Sequence, residues 1–199
     1  MNIEQWFSTP VMYNDLQGEL LDRVQSEINL LMPKIESGDL SNPWGDGVKT
    51  SFKYNKGEVN DIVKYSFNSL HDEIIKSSHH FLNTFKIFSN PVSLKITDSW
   101  TNFSYKGDFQ FDHCHQVFDA GTNKCIISGC YYFKTNGEDG DIEFMSPSRA
   151  DPLFHDLFIK YKPYVGRMLI FPSWLMHRVR INQSDDVRIS ISFNLEIVK

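Results

Sequence analysis

A chain of 199 residues that is 41% hydrophobic and 23% charged is long enough to bury one substantial core, and its composition excludes an intrinsically disordered protein. The expectation is one domain over 1–199, with a helical part over 1–90 and a β part over 91–199. A formal net charge of -5 supplies no general field for phosphates, so nucleic acid is not an expected partner. No run approaches the roughly 18 apolar residues of a membrane helix and the first ten residues lack an apolar export core. The reading is a soluble, cytoplasmic protein with no membrane partner, its oligomeric state open and a homodimer possible.

In chain order, a first helix is expected to begin after Asn14 or Asp15, either able to cap, and to run to Ile35. Leu16, Leu20, Val24, Ile28 and Leu31 recur there at helical spacing. Residues 37–57, rich in Gly, Ser, Asn and Pro, read as a long connection. A second helix is expected over 60–85, with Val63, Phe67, Leu70, Ile74, Phe81 and Phe85 facing inward. From Pro91 onward the pattern changes to short β-rich runs. These are VSLKITDSWTNFSY, FQFDHCHQVF, CIISGCYYFKT, DIEFM, YVGRMLIFP, HRVRIN and VRISISFNLEIV, separated by turn pairs such as Asn136-Gly137 and Asp139-Gly140. Helices followed by strands without alternation point to an α+β, mainly β protein: a sandwich, jelly roll or barrel.

The chemistry concentrates in Phe111-Asp112-His113-Cys114-His115 and in His177, which follows the apolar run 168–172. On a strand, residues two apart share a face, so His113 and His115 point together while Asp112 and Cys114 point away. A later strand laid alongside brings His177 to complete a three-ligand metal site with open positions, whereas the plain alternative is a pair of surface histidines. Along residues 188–195 strict alternation puts Arg188, Ser190, Ser192 and Asn194 on one face and Ile189, Ile191, Phe193 and Leu195 on the other. The polar face either meets water or lines a cavity, and a guanidinium inside a cavity demands an anion, best a carboxylate. At residues 177–181 the same alternation turns His177, Val179 and Ile181 inward and Arg178 and Arg180 outward. Cys114, Cys125 and Cys130 have no paired C-x-x-C spacing and read as reduced thiols.

The stretches SWTNFSYKGDFQFDHCH, SGCYYF, GDIEFMSP and GRMLIFPSWLMHRVRINQSDDVRISISFNL resemble the 2-oxoglutarate/Fe(II)-dependent oxygenases. Within them they are similar to the prolyl-hydroxylase-like group and to a branch of small bacterial and phage proteins, and IEQWFSTPVMYNDL resembles the opening of that branch. The resemblance implies a double-stranded β-helix (jelly roll) with the N-terminal helices packed on the outer face of one sheet, and a host cytoplasm if the protein is phage-encoded. It implies Fe(II) on His113 and His177, with Arg188 and Ser190 holding the distal carboxylate of 2-oxoglutarate, assisted by Tyr132 and, on a weaker match, Tyr105. Where most of the superfamily carries H-x-D or H-x-E, this chain has His115, which is read as the third ligand. Asp112 is on the wrong face and Asp119 needs a turn to reach. The implied activity is that of a dioxygenase converting 2-oxoglutarate and O₂ to succinate and CO₂ while hydroxylating a peptide side chain or a small molecule. Two rivals remain, a zinc-binding jelly roll without oxygenase activity and a non-enzymatic binding or assembly module.

Overall fold

The computed structural model describes residues 8–53, 59–85, 90–115, 125–147 and 157–198. Its elements are β1 (Met12–Asp15), α1 (Gly18–Glu36), β2 (Lys49–Thr50), α2 (Asp61–Lys64), α3 (Asn68–Thr84), β3 (Ser93–Ser104), β4 (Gln110–His113) and β5 (Cys125–Lys134). They continue with β6 (Ile142–Met145), β7 (Phe158–Tyr161), β8 (Arg167–Pro172), β9 (His177–Val179) and β10 (Arg188–Val198).

The N-terminal part departs from the expected pair of long helices. Neither candidate cap is used as one. Asp15 closes β1 and its carboxylate pairs both ends of the Arg167 fork at 2.7 Å, while the Asn14 amide reaches Glu73 and Ser77 on α3. Helix α1 therefore begins only at Gly18, and its stripe Val24, Ile28, Met32 and Ile35 is fully covered. The expected second helix is broken in two. Asn60 caps α2 as its position suggests, accepting from the Val63 N–H at 3.2 Å, but Ser66 takes a positive φ of 56° and interrupts the ladder before α3. That break resets the helical phase, which leaves Val63 at 59% exposure while Phe67, Leu70, Ile74 and Phe81 are buried; Phe85, at the C-cap beyond the last turn of α3, is 46% exposed.

Every pairing within the two sheets is antiparallel: a six-stranded sheet in the order β1-β8-β5-β10-β3-β2 and a four-stranded sheet in the order β4-β9-β6-β7. All seven β-rich runs form strands. Strand β7 was not anticipated, nor were the edge strands β1 and β2, which the N-terminal half contributes. One face of the large sheet, with Tyr131, Phe133, Met168, Ile170, Ile189, Ile191, Phe193 and Leu195, shares a core with α1 and α3. Its other face carries Cys130, Tyr132, Leu169 and Phe171 against Ile142, Phe144 and Val179 of the small sheet. Alternation along β5, β8 and β10 thus separates a helix-covered core from the space between the sheets. Among the described residues no helix is long and apolar enough to cross a membrane.

Candidate metal centre and cavity

Three imidazoles meet between the sheets. β4 and β9 pair with His113 opposite His177, and an irregularity in the ladder between Gln110 and His113 turns the end of β4 toward its partner. His115 lies beyond the strand, anchored by its N–H to the Ser173 carbonyl at 2.9 Å. Its convergence with His113 is therefore the work of this anchor and not of strand alternation. For the same reason Asp112 and Cys114, expected to face away, also border the cavity. One nitrogen from each of His113, His115 and His177 lies within 4.8 Å of the other two, and among the described residues no carboxylate joins the group. Asp112 sits 3.8 Å from Arg178 instead, and Asp119 lies outside the described residues.

Each ring has its other nitrogen committed. Nδ1 of His113 donates to the Phe111 carbonyl at 2.7 Å, Nδ1 of His177 to the Leu175 carbonyl at 2.9 Å, and Nδ1 of His115 to Oδ1 of Asn194 at 2.8 Å. A carbonyl oxygen can only accept, so these bonds place the proton on Nδ1 and leave Nε2 with a lone pair on all three rings. Burial pushes all three pKa values below the usual histidine value, that of His115 to about 4, and the mutual proximity of the rings pushes His115 and His177 further the same way. The set is thus neutral and nucleophilic at physiological pH, which is what a metal ion requires of imidazole. Behind His115 the Asn194 amide oxygen also accepts from Ser128, whose hydroxyl meets Ser173 and, beyond it, Cys125. Alternation alone makes Asn194 a cavity-facing residue; its place behind His115 depends on the β5–β10 register, which sets it opposite Ser128.

A cavity of about 410 Å³ extends from these histidines and is lined by Tyr132, Arg188, Ser190, Ser192 and Asn194. Arg188 is 3% exposed. Its Nη1 donates to the carbonyls of Asp139 at 2.6 Å and Gly140 at 2.8 Å, and among the described residues no carboxylate pairs with it. Gly140, at φ 104°, is what makes this seat possible: a Cβ there would stand 2.2 Å from the Arg180 carbonyl and 2.9 Å from Nη1 of Arg188. The turn is held by the buried Asp139 carboxylate, which accepts from Thr135 Oγ1 and the Asn136 N–H. The hydroxyl of Ser104, directly across the ladder from Arg188, and Oδ1 of Asn102 are buried without a partner among the described residues. A buried cation with no acidic partner among the described residues, facing a hydroxyl free to donate, is the chemistry of a site shaped for a bound carboxylate.

Tyr132 faces the cavity, its phenol held neutral by burial. Tyr105 does not. It lies 37% exposed with Lys49 over its ring at 5.3 Å, because β3 ends at Ser104 and the chain turns through Gly107 to the surface. Arg178 faces outward to Glu143 at 2.7 Å and Val179 is buried as expected; Ile181, beyond the end of β9, is 42% exposed and not inward. The segment read as a connection supplies Trp44, Asp46, Val48 and Phe52 to the cavity wall.

Residues 98–194, from β3 through most of β10, match the family model described as "Putative 2OG-Fe(II) oxygenase". Over this stretch the chain is similar to the 2OG-Fe(II) oxygenases. The fold is also that of solved oxygenases. A Pseudomonas putida prolyl-4-hydroxylase aligns at TM-score 0.63 and 12% identity over 96% of this chain and 95% of its own. A viral collagen prolyl hydroxylase from Paramecium bursaria Chlorella virus-1, in a 2-oxoglutarate complex, aligns at 0.57 and 16% over 95% and 96%. HygX from Streptomyces hygroscopicus, with nickel, 2-oxoglutarate and hygromycin B bound, aligns at 0.59 and 12% over 94% and 83%. No curated protein sequence matches the chain. The matched family is one of Fe(II)- and 2-oxoglutarate-dependent oxygenases, and the solved structures share the fold.

Proposed function

We propose that this oxygenase binds Fe(II) through Nε2 of His113, His115 and His177 and holds the distal carboxylate of 2-oxoglutarate on Arg188 and Ser190, with the neutral Tyr132 hydroxyl beside it. The reaction is hydroxylation of an organic acceptor, a peptide side chain or a small molecule. One observation carries the assignment: a single cavity contains three neutral, tautomer-fixed imidazoles and, on its wall, a buried guanidinium without an acidic partner among the described residues. When bound, Fe(II) and 2-oxoglutarate supply the activation of O₂. The chain itself orients the imidazoles through Phe111, Leu175 and Asn194, offers the guanidinium fork to an anion, and excludes water with Phe171, Val179 and Ile142.

An all-histidine set lacks the negative charge of the commoner carboxylate ligand, so the metal centre would attract the dianionic cosubstrate more strongly at its chelating end, and Arg188 would fix the position of the distal end. The two sheets are read as a double-stranded β-helix with α1 and α3 on the outer face of the larger one. Because β1 and β2 complete that sheet, 1–199 is a single domain.

The test is anaerobic reconstitution with Fe(II) followed by titration of 2-oxoglutarate, watched through the weak visible absorption of the chelate. The wild type is expected to bind one iron and one 2-oxoglutarate. His177→Ala is expected to lose the metal. Arg188→Lys is expected to keep the metal and to lose roughly ten- to a hundredfold in 2-oxoglutarate affinity, since a point charge replaces a bidentate, charge-assisted pair. Arg178→Lys, at the outer face, is the control. Equal 2-oxoglutarate affinity in all of them, or retention of zinc with indifference to 2-oxoglutarate, favours the zinc-protein reading instead.

A further inference from the structure

Iron and 2-oxoglutarate account for the histidines and for Arg188, and they leave the β2 side of the cavity without a ligand. Asp46 stands there. It is 4% exposed and borders the cavity. One carboxylate oxygen accepts from the Val48 N–H at 3.2 Å, and among the described residues no lysine, arginine or histidine pairs with the other. Burial, and then the nearby Asp108 carboxylate, push its pKa upward, the opposite of what a compensating cation does.

Two further features of the same wall point to the ligand. Trp44 stacks on Phe52 with ring centroids 5.3 Å apart, Phe52 meets Trp100 edge-on at 5.4 Å, and Trp100 lies 5.4 Å from the His115 ring. An aromatic series thus runs from the segment that carries Asp46 to the metal centre. Oδ1 of Asn102, whose strand pairs with β2 at Thr50, is a buried acceptor with no donor among the described residues. An unpaired carboxylate, an unmet acceptor and electron-rich ring faces all favour the same kind of group, a cation with several N–H donors.

We propose that this wall is the primary-substrate subsite and that it takes the cationic group, an ammonium or guanidinium, of the molecule to be hydroxylated. The oxidisable carbon then lies further along the aromatic series, toward His115. The cavity is charged in opposite senses at its two walls: Arg188 selects the anionic cosubstrate and Asp46 selects the cationic substrate, so neither ligand is drawn into the other's place. The word substrate rests on the oxygenase reading above, whereas the cation site itself does not.

The test uses the full chain loaded anaerobically with Fe(II) and 2-oxoglutarate, with tryptophan fluorescence as readout. The probes are Nα-acetyl-arginine methylamide and its neutral near-isostere Nα-acetyl-citrulline methylamide. The arginine probe is expected to bind at least about tenfold more tightly, as a charge-assisted pair within a desolvated wall implies. Asp46→Asn is expected to reduce that ratio to about twofold or less while keeping the Fe(II)–2-oxoglutarate absorption, which shows that it is folded. Trp44→Leu is expected to weaken the arginine probe several-fold, and it decides the matter should Asp46→Asn not fold. Equal affinity of the two probes in the wild type, absence of binding by either up to about 20 mM, or a ratio unchanged in both variants overturns the proposal. If the wild type shows no chelate absorption yet still prefers the arginine probe, the oxygenase reading fails and the cation site stands.

Discussion

The two faces of β10 share one backbone and serve opposite ends. Ile189, Ile191, Phe193 and Leu195 are at most 4% exposed in a core shared with the helices. Arg188, Ser190, Ser192 and Asn194, interleaved with them, line the cavity. The apolar face contributes stability, roughly in proportion to the area it removes from water. The polar face costs stability, since a guanidinium and an amide are withdrawn from water with incomplete replacement of their hydrogen bonds. A strand so built separates what holds the protein together from what it binds, and substitutions on the two sides are expected to fail differently.

The largest effect is expected on the apolar side. Phe193→Ala removes a fully buried ring whose edge would lie 2.3 Å from any Cβ at Gly129, so the cavity it leaves cannot be filled by its neighbour, and the loss is about 3–5 kcal/mol in denaturant unfolding. If the protein survives, its iron stoichiometry is expected to be unchanged; a loss of iron binding at full stability would break the comparison.

The pH dependence of the metal-free protein comes next. The folded histidines titrate below their ordinary value near 6.5, so the native state favours the neutral rings. Their stabilisation is complete above pH ~6.5 and is lost as pH falls toward the folded value, about 4 for His115. For that residue the interval corresponds to about 3 kcal/mol at ~1.36 kcal/mol per pH unit. Thermal unfolding between pH 7 and 4.5 measures it, and a curve that rises on acidification contradicts it. Asn194→Ala ranks below this, on the polar side: His115 keeps its place through Ser173 but loses the acceptor that fixes its tautomer, and a ten- to hundredfold fall in Fe(II) affinity is expected by competition with a chelating dye. Smallest of all is Tyr105→Phe, which is expected to leave 2-oxoglutarate affinity within about twofold, since the ring lies outside the cavity.

What could be read in advance follows the same division. The alternation of β10 needs no knowledge of partners, but whether its polar face meets water or a cavity does: the burial of Arg188 that calls for an anion is visible only once β3 and β5 flank the strand. The H-x-H pair and the distant His177 were also legible, although the reason His115 converges was not: it depends on a Ser173 carbonyl that no local pattern announces. Asn14 and Asp15 look like caps, and their real partners, on α3 and on β8, are 59 to 152 residues away in the chain. Residues 37–57 carry the composition of a loop, and nothing in their spacing indicates that Trp44, Asp46 and Phe52 close the cavity. β7 is four residues with two exposed positions in its middle, too short for periodicity to register.

The place of β10 in the sheet bears on how the molecule comes to exist. The last strand in the chain lies between β5 and β3, so a growing polypeptide has every other strand available before the one that joins them. Until residues 188–198 leave the ribosome, β3 and β5 each present an open edge, and the cavity lacks a wall. Folding therefore waits on long-range pairings and belongs in the slow, millisecond-to-second regime of β-rich proteins. A nascent chain short of β10 already carries all three histidines but lacks Asn194 to orient His115 and Arg188 to meet an anion, so the site is expected to be completed by the strand that closes the sheet.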